Sequence, residues 1–258
     1  MSDSTVILAE NDYGKCRVRM VRVGRHGDRH ELQEINVRIA FEGDFEAAHI
    51  SGDNSSVLPT DTMKNTVYAL AKQTRDIEEI EAFAQRLAAH FLANTPETSR
   101  VLIEIEEGQW NRLEVGGKPH RHSFVKGSDE KRTVTVNATR ANVVISSGVE
   151  DLLVLKTTGS SFEAFKKDEL TTLKEADDRI LATSVKAQWT YTEPGVACRA
   201  LWRGVRQLLL ETFAEHDSQS VQHTVYAIGE CILNSFEEVS EVSLSLPNKH
   251  CLLVDLSP

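Results

Sequence analysis

Cysteine is scarce in this sequence, and the four present, Cys16, Cys198, Cys231 and Cys251, show no C-x-x-C spacing. That argues against a disulfide framework or a thiolate zinc site and suits reduced thiols used for packing. Long apolar runs are missing as well, since no stretch approaches the roughly 18 residues that a membrane-spanning helix needs. The start, Met1-Ser2-Asp3-Ser4, lacks a basic segment followed by an apolar run, so no secretory leader is expected. There is also no Lys/Arg block: 39 acidic side chains face 29 basic ones, a formal net charge of −10. Nucleic acid, whose affinity comes from phosphate neutralisation, is therefore not expected as a partner, nor is a membrane. An anionic small molecule would have to be held by individual cations inside a pocket.

What is present is ordinary for a globular protein. The chain has 258 residues, of which 40% are apolar and 26% charged, which sets disorder aside as the main theme. A chain of this length buries roughly 70 to 75% of its unfolded surface, enough for one large domain or two fused smaller ones.

Val18 and Met20, the turn-rich Gly24-Arg25-His26-Gly27-Asp28, and the alternating Ile35, Val37, Ile39 and Phe41 predict an antiparallel hairpin with one buried face. Met63, Val67 and Leu70, then Ile80, Phe83, Leu87 and Phe91, recur at helical spacing. Asp76 and Glu79 form a capping-box-like start to the second helix and Pro96 marks its end. Strands return at Val101, Ile103 and Ile105 and near Val134 and Val136. The second half repeats that order: strands at 152–155 and 181–191, helical spacing at Leu201, Val205, Leu208 and at Val221, Val225, Ile228, Ile232, then strands around Val242, Leu244, Leu246 and around Leu252, Val254, Leu256. The reading is α+β, with ββααββ in residues 1–147 and again in 148–258. Such units leave open sheet edges, which closure into a barrel between subunits would remove, so oligomerisation is expected.

Few residues declare a chemical role on their own. His120-x-His122 would put both rings on one face of a strand, but no further ligands accompany them, so a hydrogen-bonded loop is expected and no metal is assigned. His250 falls in a turn, where a solvated ring is the ordinary outcome. Lys15, at the entrance to the first strand, reads as a flanking surface lysine unless its pKa is lowered. Thr60-Asp61 precedes a helix and reads as an N-cap, where outward backbone N–H groups could also meet an anion. Arg179 stands among Glu175, Asp177 and Asp178, where a surface ion pair is the default, and Gln222 beside Val221 at a helix start is uninformative alone.

Together, however, several separated segments resemble the urate oxidase (uricase) family over nearly the whole chain. They are Tyr13-Gly14-Lys15, Thr60-Asp61-Thr62-Met63-Lys64-Asn65-Thr66, Gly117-Lys118-Pro119-His120-Arg121-His122-Ser123-Phe124, Leu155-Lys156 with Phe162, Thr171-Thr172-Leu173-Lys174, Asp178-Arg179-Ile180-Leu181, Val221-Gln222, and Ser245-Leu246-Pro247-Asn248-Lys249-His250. The resemblance implies the tunnelling fold, tandem ββααββ units whose antiparallel sheets close into barrels between subunits with helices outside, in a homotetramer built as a dimer of dimers. It implies oxidation of urate by O2 and water to 5-hydroxyisourate and hydrogen peroxide, without metal or organic cofactor. Arg179 and Gln222 would clamp the purine, Phe162 stack on it, the Val221 amide contact it and Leu173 line the pocket. Thr60 and the backbone of Asp61 would reach its other edge from a neighbouring subunit. Lys15, Thr60 and His250 would form a proton relay, with Asn248 and Thr60 holding O2 or water.

A rival within the same fold, an enzyme acting on pterins or guanine, would typically anchor its ligand with glutamate and often use zinc; here Gln222 occupies that position. A non-catalytic purine-binding relative would be expected to have lost Lys15, Thr60 or His250, and all three are present. The family generally continues with another strand-bearing segment beyond Asp255-Leu256-Ser257-Pro258, which leaves the cover of the last sheet edge and the stability of the assembly without an assignment from sequence. Ser257-Pro258 is not a peroxisomal tripeptide, and cytoplasm is the expected compartment.

Overall fold

The computed structural model describes residues 6–73, 79–197, 199–251 and 254. Asp76 of the expected capping pair, Cys198, Leu252 and Leu256 lie outside the described residues. The element order is β1 (Tyr13–His26), β2 (Arg29–Gly43), α1 (Glu46–Ile50), α2 (Thr60–Gln73), α3 (Ile80–Asn94), β3 (Thr98–Val115), β4 (Lys118–Thr139), β5 (Val143–Lys156), β6 (Leu181–Tyr191), α4 (Arg199–Glu215), α5 (Val221–Ser235) and β7 (Val239–Ser245). Hydrogen-bonded neighbours follow chain order from β1 to β7. The β1–β2, β2–β3 and β6–β7 pairs are antiparallel. The chain divides into two compact units, residues 1–127 with 133–146, and residues 128–132 with 147–258.

In the first unit the alternation in β2 does what period-2 patterning requires: Ile35, Val37, Ile39 and Phe41 are all at most 2% exposed. Val37 faces Ile105, Ile39 faces Ile103 and Phe41 faces Val101 across the β2–β3 ladder. Met63, Val67 and Leu70 of α2 and Ile80, Phe83, Leu87 and Phe91 of α3 bury the predicted stripes. Each fully buried side chain of this kind stabilises the fold by roughly 1.5 to 3 kcal/mol. Helix α2 packs on β1 and α3 on β3. The end of α3 leaves carbonyls without helical partners. Arg140 satisfies that region by donating to the carbonyls of Leu92, Thr95, Pro96 and Thr98 at 2.7 to 3.2 Å. Helix α1 was not anticipated, because it buries no residue and so carries no apolar stripe.

In the second unit Leu181, Thr183, Val185, Ala187, Trp189 and Tyr191 of β6 are all buried, matching the expected alternation. The α4 stripe is rotated relative to expectation: Trp202, Val205, Leu209 and Phe213 are buried, whereas Leu201 and Leu208 are only partly so. The Trp189 indole donates to the Tyr191 hydroxyl at 3.1 Å. The Trp202 indole donates to the Gly148 carbonyl at 2.8 Å, with the Arg132 guanidinium 5.5 Å from its ring. Arg206 grips Glu130 through two bonds of 2.5 and 2.6 Å, the paired geometry that suits a buried carboxylate. Helices α4 and α5 pack together, and α5 lies on β7.

Two expectations are corrected. His120 and His122 sit on strand β4 rather than in a loop, because β3 and β4 extend into one long hairpin turned at Gly116 and Gly117, where φ is 59° and 71°. Cys16 and Cys251 are exposed and Cys231 half-buried, so they are not core packing residues. The strand expected around Leu252, Val254 and Leu256 falls largely outside the described residues. Between it and β7, Asn248 bridges Thr183, and Val254 itself is exposed.

Candidate active site

Lys15 owes its orientation to a β-bulge. Lys15 pairs with Ile39 and Val18 with Val37, so Cys16 and Arg17 together oppose Arg38. Arg17 takes φ 58°, a left-handed backbone that accommodates the extra residue. The inserted residue resets the alternation, so Lys15 shares the sheet face of buried Ile39 and Val18, the face on which α2 packs. Regular alternation would have put Lys15 on the face opposite Val18.

Thr60 and Asp61 open α2. The cap position is taken by Pro59, whose carbonyl accepts the Met63 N–H at 3.2 Å, so Thr60 is the first helical residue rather than the residue before it. Asp61 accepts from Lys64 and, at 2.9 Å, from the Asn65 amide. The bond from Lys64 is the main cause that holds its carboxyl below the usual carboxylate range, and the charge of Lys15 acts in the same direction. Tyr13 ties the two elements: its ring lies edge-on to Phe41 and Phe45 at 5.8 and 4.7 Å, and its hydroxyl accepts the Leu58 N–H at 3.0 Å, two residues before Thr60. Burial pushes the Tyr13 phenol up, keeping it neutral. Gly14 is required by space, because a Cβ there would stand 1.9 Å from the Ile39 carbonyl oxygen.

In the second unit, residues 157–180 join β5 to β6 with little regular structure, yet they are pinned. Ser160 bridges Ser218, and Phe162 bridges Ala176. The Ser161 N–H reaches the Ser218 carbonyl at 2.7 Å, and the Ser218 N–H reaches the Gly159 carbonyl at 3.0 Å. The Ser218 hydroxyl, fully buried, meets the Thr224 hydroxyl at 2.5 Å, and the Ser220 hydroxyl caps α5 by accepting the His223 N–H at 3.1 Å. The segment carrying Phe162 and Arg179 is thereby stitched to the helix start carrying Val221 and Gln222.

The Arg179 guanidinium lies 5.1 Å from the centre of the Phe162 ring, and Phe162 stacks on Phe165 at 4.9 Å. The default surface ion pair is not formed. Arg179 Nε and Ser160 Oγ are both buried without a hydrogen-bond partner. Leaving such a group unpaired costs about 1 to 3 kcal/mol, which a polar ligand would recover. Leu173 is 58% exposed and Gln222 is exposed at the first turn of α5. Asn248 and His250 follow β7; the Asn248 amide lies 3.4 Å from His250 Nδ1, the Thr183 hydroxyl donates to the Pro247 carbonyl at 3.0 Å, and the Lys249 N–H donates to the Ala182 carbonyl at 2.7 Å.

The structure thus brings Lys15, Thr60 and Asp61 together in one unit, and in the other joins Phe162 and Arg179 to Val221 and Gln222, with Asn248 beside His250. Residue type alone marks no role for Tyr13, Asp178 or Ser218, although the first two stand inside motifs shared with the family. A cavity of about 620 Å³ lined by Glu211, Glu215, His216, His223, Tyr226 and Cys231 among others contains none of the expected site residues. Among the described residues no group of three or more His, Cys, Asp or Glu could hold a metal ion, and no helix is long and apolar enough to cross a membrane.

Comparison with known proteins gives this geometry its context. The sequence model of the family described as "Uricase" matches residues 11–137 and 145–258. The chain is 42% identical over 253 residues to a uricase of Arthrobacter globiformis, covering 98% of this chain and 82% of that protein. It is 39% identical over 254 residues to a uricase of Dictyostelium discoideum, covering 97% and 88%. The crystal structure of the Arthrobacter globiformis uricase superposes with a TM-score of 0.92, covering 98% of this chain and 86% of that one. With both family segments matched and both groups of candidate site residues lying inside them, the chain belongs to the uricase family.

Proposed function

We propose that this chain oxidises urate with O2 and water to 5-hydroxyisourate and hydrogen peroxide. The observation that carries the reading is the Arg179–Phe162 pair, a cation beside an aromatic face with a buried, unpaired Nε, in a chain whose family is uricase. A flat purine anion would stack on Phe162, accept from the planar guanidinium and exchange donor and acceptor contacts with Gln222 and the Val221 amide. Each charge-assisted bond contributes about 1.5 to 3 kcal/mol. Leu173 would line the pocket.

The chemistry follows from the substrate. O2 reacts slowly with closed-shell molecules, and a more fully deprotonated urate is a better one-electron donor. Lys15, through Thr60, would draw a proton from bound urate, with His250 completing the relay and the Asp61 backbone holding the far edge. Transfer of two electrons and two protons from urate to O2 gives hydrogen peroxide, and water, held by Asn248 and Thr60, adds to the oxidised ring to give 5-hydroxyisourate. Urate is itself the reductant, so the proposed reaction needs no metal or organic cofactor.

Lys15 and Thr60 from one copy would serve the Arg179 and Gln222 site of another, in a homotetramer working in the cytoplasm. Supporting this are the sheet's two end strands, β1 and β7, each with a single hydrogen-bonded neighbour strand among the described residues. The test is incubation with urate in chelator-treated buffer, following ultraviolet absorbance, oxygen uptake and peroxide together. The expected result is equal consumption of urate and O2 with matching peroxide; absence of both losses would remove the oxidase reading.

A further inference from the structure

Three carboxylates lie within four residues of Arg179 in sequence, and none of them neutralises its guanidinium. Glu175 pairs with Lys167 at 2.7 Å. Asp177 accepts the Asp178 N–H at 3.0 Å. Asp178 is held most firmly: its Oδ1 accepts the Arg179 N–H at 3.0 Å and the Ser160 N–H at 3.2 Å, and its Oδ2 accepts the Thr158 hydroxyl at 2.6 Å. The Arg179 N–H also reaches the Ser160 carbonyl at 2.7 Å. One side chain therefore bonds the backbone at both ends of the loop that brings Arg179 alongside Ser160, two residues before Phe162.

We propose that Asp178 is a positioning residue of the urate clamp, fixing the backbone at Arg179 and Ser160 so that the guanidinium stays beside Phe162 with its donors left for the substrate. The inference rests on the reading of Arg179 as the clamp. Two physical effects combine. Without the carboxylate, two backbone N–H groups lose an acceptor and the arginine gains freedom that binding must then remove. A carboxylate released from Thr158, one residue from the guanidinium, becomes a competitor for the charge that urate needs. Thr158 and the two amides hold the Asp178 carboxyl below the usual carboxylate range, with the Thr158 hydroxyl the largest cause, which agrees with a group kept ionised and fully bonded.

The experiment measures urate affinity by calorimetry under argon, where no O2 is present to consume the ligand, and kcat and KM in air. Wild-type protein is compared with Asp178→Ala, Asp178→Asn and Thr158→Val, with thermal melts as control. Asp178→Ala should weaken affinity and raise KM about tenfold with kcat at saturating urate changed by less than about threefold, the signature of lost ground-state binding. Thr158→Val should move the same way, and Asp178→Asn, which keeps an acceptor for the amides, should recover most of the loss. Folded Asp178→Ala and Thr158→Val proteins with wild-type affinity overturn the proposal, as does a lowered melting temperature in either with affinity unchanged. If Asp178→Ala does not fold, Asp178→Asn and Thr158→Val decide the matter: Thr158→Val with wild-type affinity overturns it. Wild-type protein that binds no urate under argon and oxidises none in air would instead overturn the proposed function itself.

Discussion

The two groups of candidate site residues are positioned by different means. Lys15 and Thr60 ride on regular elements, a strand and a helix, and the main added tie between them is the Tyr13 hydroxyl on the Leu58 amide. Phe162 and Arg179 sit in a segment with little regular structure, held by side-chain and backbone bonds through Asp178, Ser160, Ser218 and Thr224. A strand and a helix fix direction by themselves, so few further bonds suffice, here that one and the Tyr68 hydroxyl donating to the Arg19 carbonyl at 3.3 Å. A loop that is to hold side chains in fixed positions needs a dense local network in place of the ladder it lacks.

If the first group moves protons and the second holds the ring, lesions in the two should differ in kind. The largest effect belongs to Lys15→Met and Thr60→Ala, each expected to cut kcat by about 10² to 10⁴ while urate affinity stays near wild type. Their combination should fall far short of the product of the single losses, because both serve one relay. Mixing inactive Lys15→Met chains with inactive Arg179→Ala chains during refolding sharpens the contrast. If each site takes one group from each of two copies, random pairing returns roughly a quarter of wild-type activity. Mixed oligomers that stay inactive would assign both groups to one chain.

Next in size is Arg179→Lys, which replaces a planar fork with a point charge. Its KM should rise about tenfold to a hundredfold, since roughly 1.4 kcal/mol corresponds to each factor of ten; unchanged affinity removes Arg179 from the clamp. Tyr13→Phe keeps the ring and deletes one neutral bond worth about 1 kcal/mol, so kcat should fall about fivefold with KM steady. A rise in KM alone would place Tyr13 with the clamp and erase the distinction between the two regions.

The smallest effect concerns pH. His216 has its pKa lowered by burial first, then by the nearby His223 ring at 4.3 Å and by Lys156, with Asp217 opposing. A depressed basic group favours the fold above its unfolded pKa and loses that contribution as pH falls toward the folded value, because the unfolded chain takes the proton first. Melting temperature should therefore drop more steeply below about pH 6.5 in wild type than in His216→Gln. Parallel acid limbs in the two proteins would show that His216 is not involved.

Much of the fold was legible in sequence because burial enforces periodicity: Ile35 to Phe41 and Leu181 to Tyr191 alternate, and both helix pairs carry stripes. Single residues that break periodicity were not legible. The bulge at Cys16–Arg17 leaves no apolar signature, yet it decides which face Lys15 occupies. Residue types alone gave Arg179 an ion pair with its acidic neighbours, because nothing in local sequence says that Asp178 turns to the backbone. Family resemblance supplied the site residues, and their supports became visible only as hydrogen bonds.

The placement of the three tryptophans has a practical consequence. Trp189 is fully buried and Trp202 nearly so, both in the second unit; in the first, Trp110 stands half-buried with its indole on Glu34 and Lys126 5.0 Å from its ring. The first unit's core is instead built from Phe41, Phe45, Phe83 and Phe91. Intrinsic fluorescence is thus an optical label weighted toward one half of the chain: opening the second unit should shift the emission to the red, while loosening of the phenylalanine core should pass nearly unseen. A fluorescence melt and a circular dichroism melt will coincide only if both halves unfold in a single step, so the pair measures cooperativity between them without any added probe.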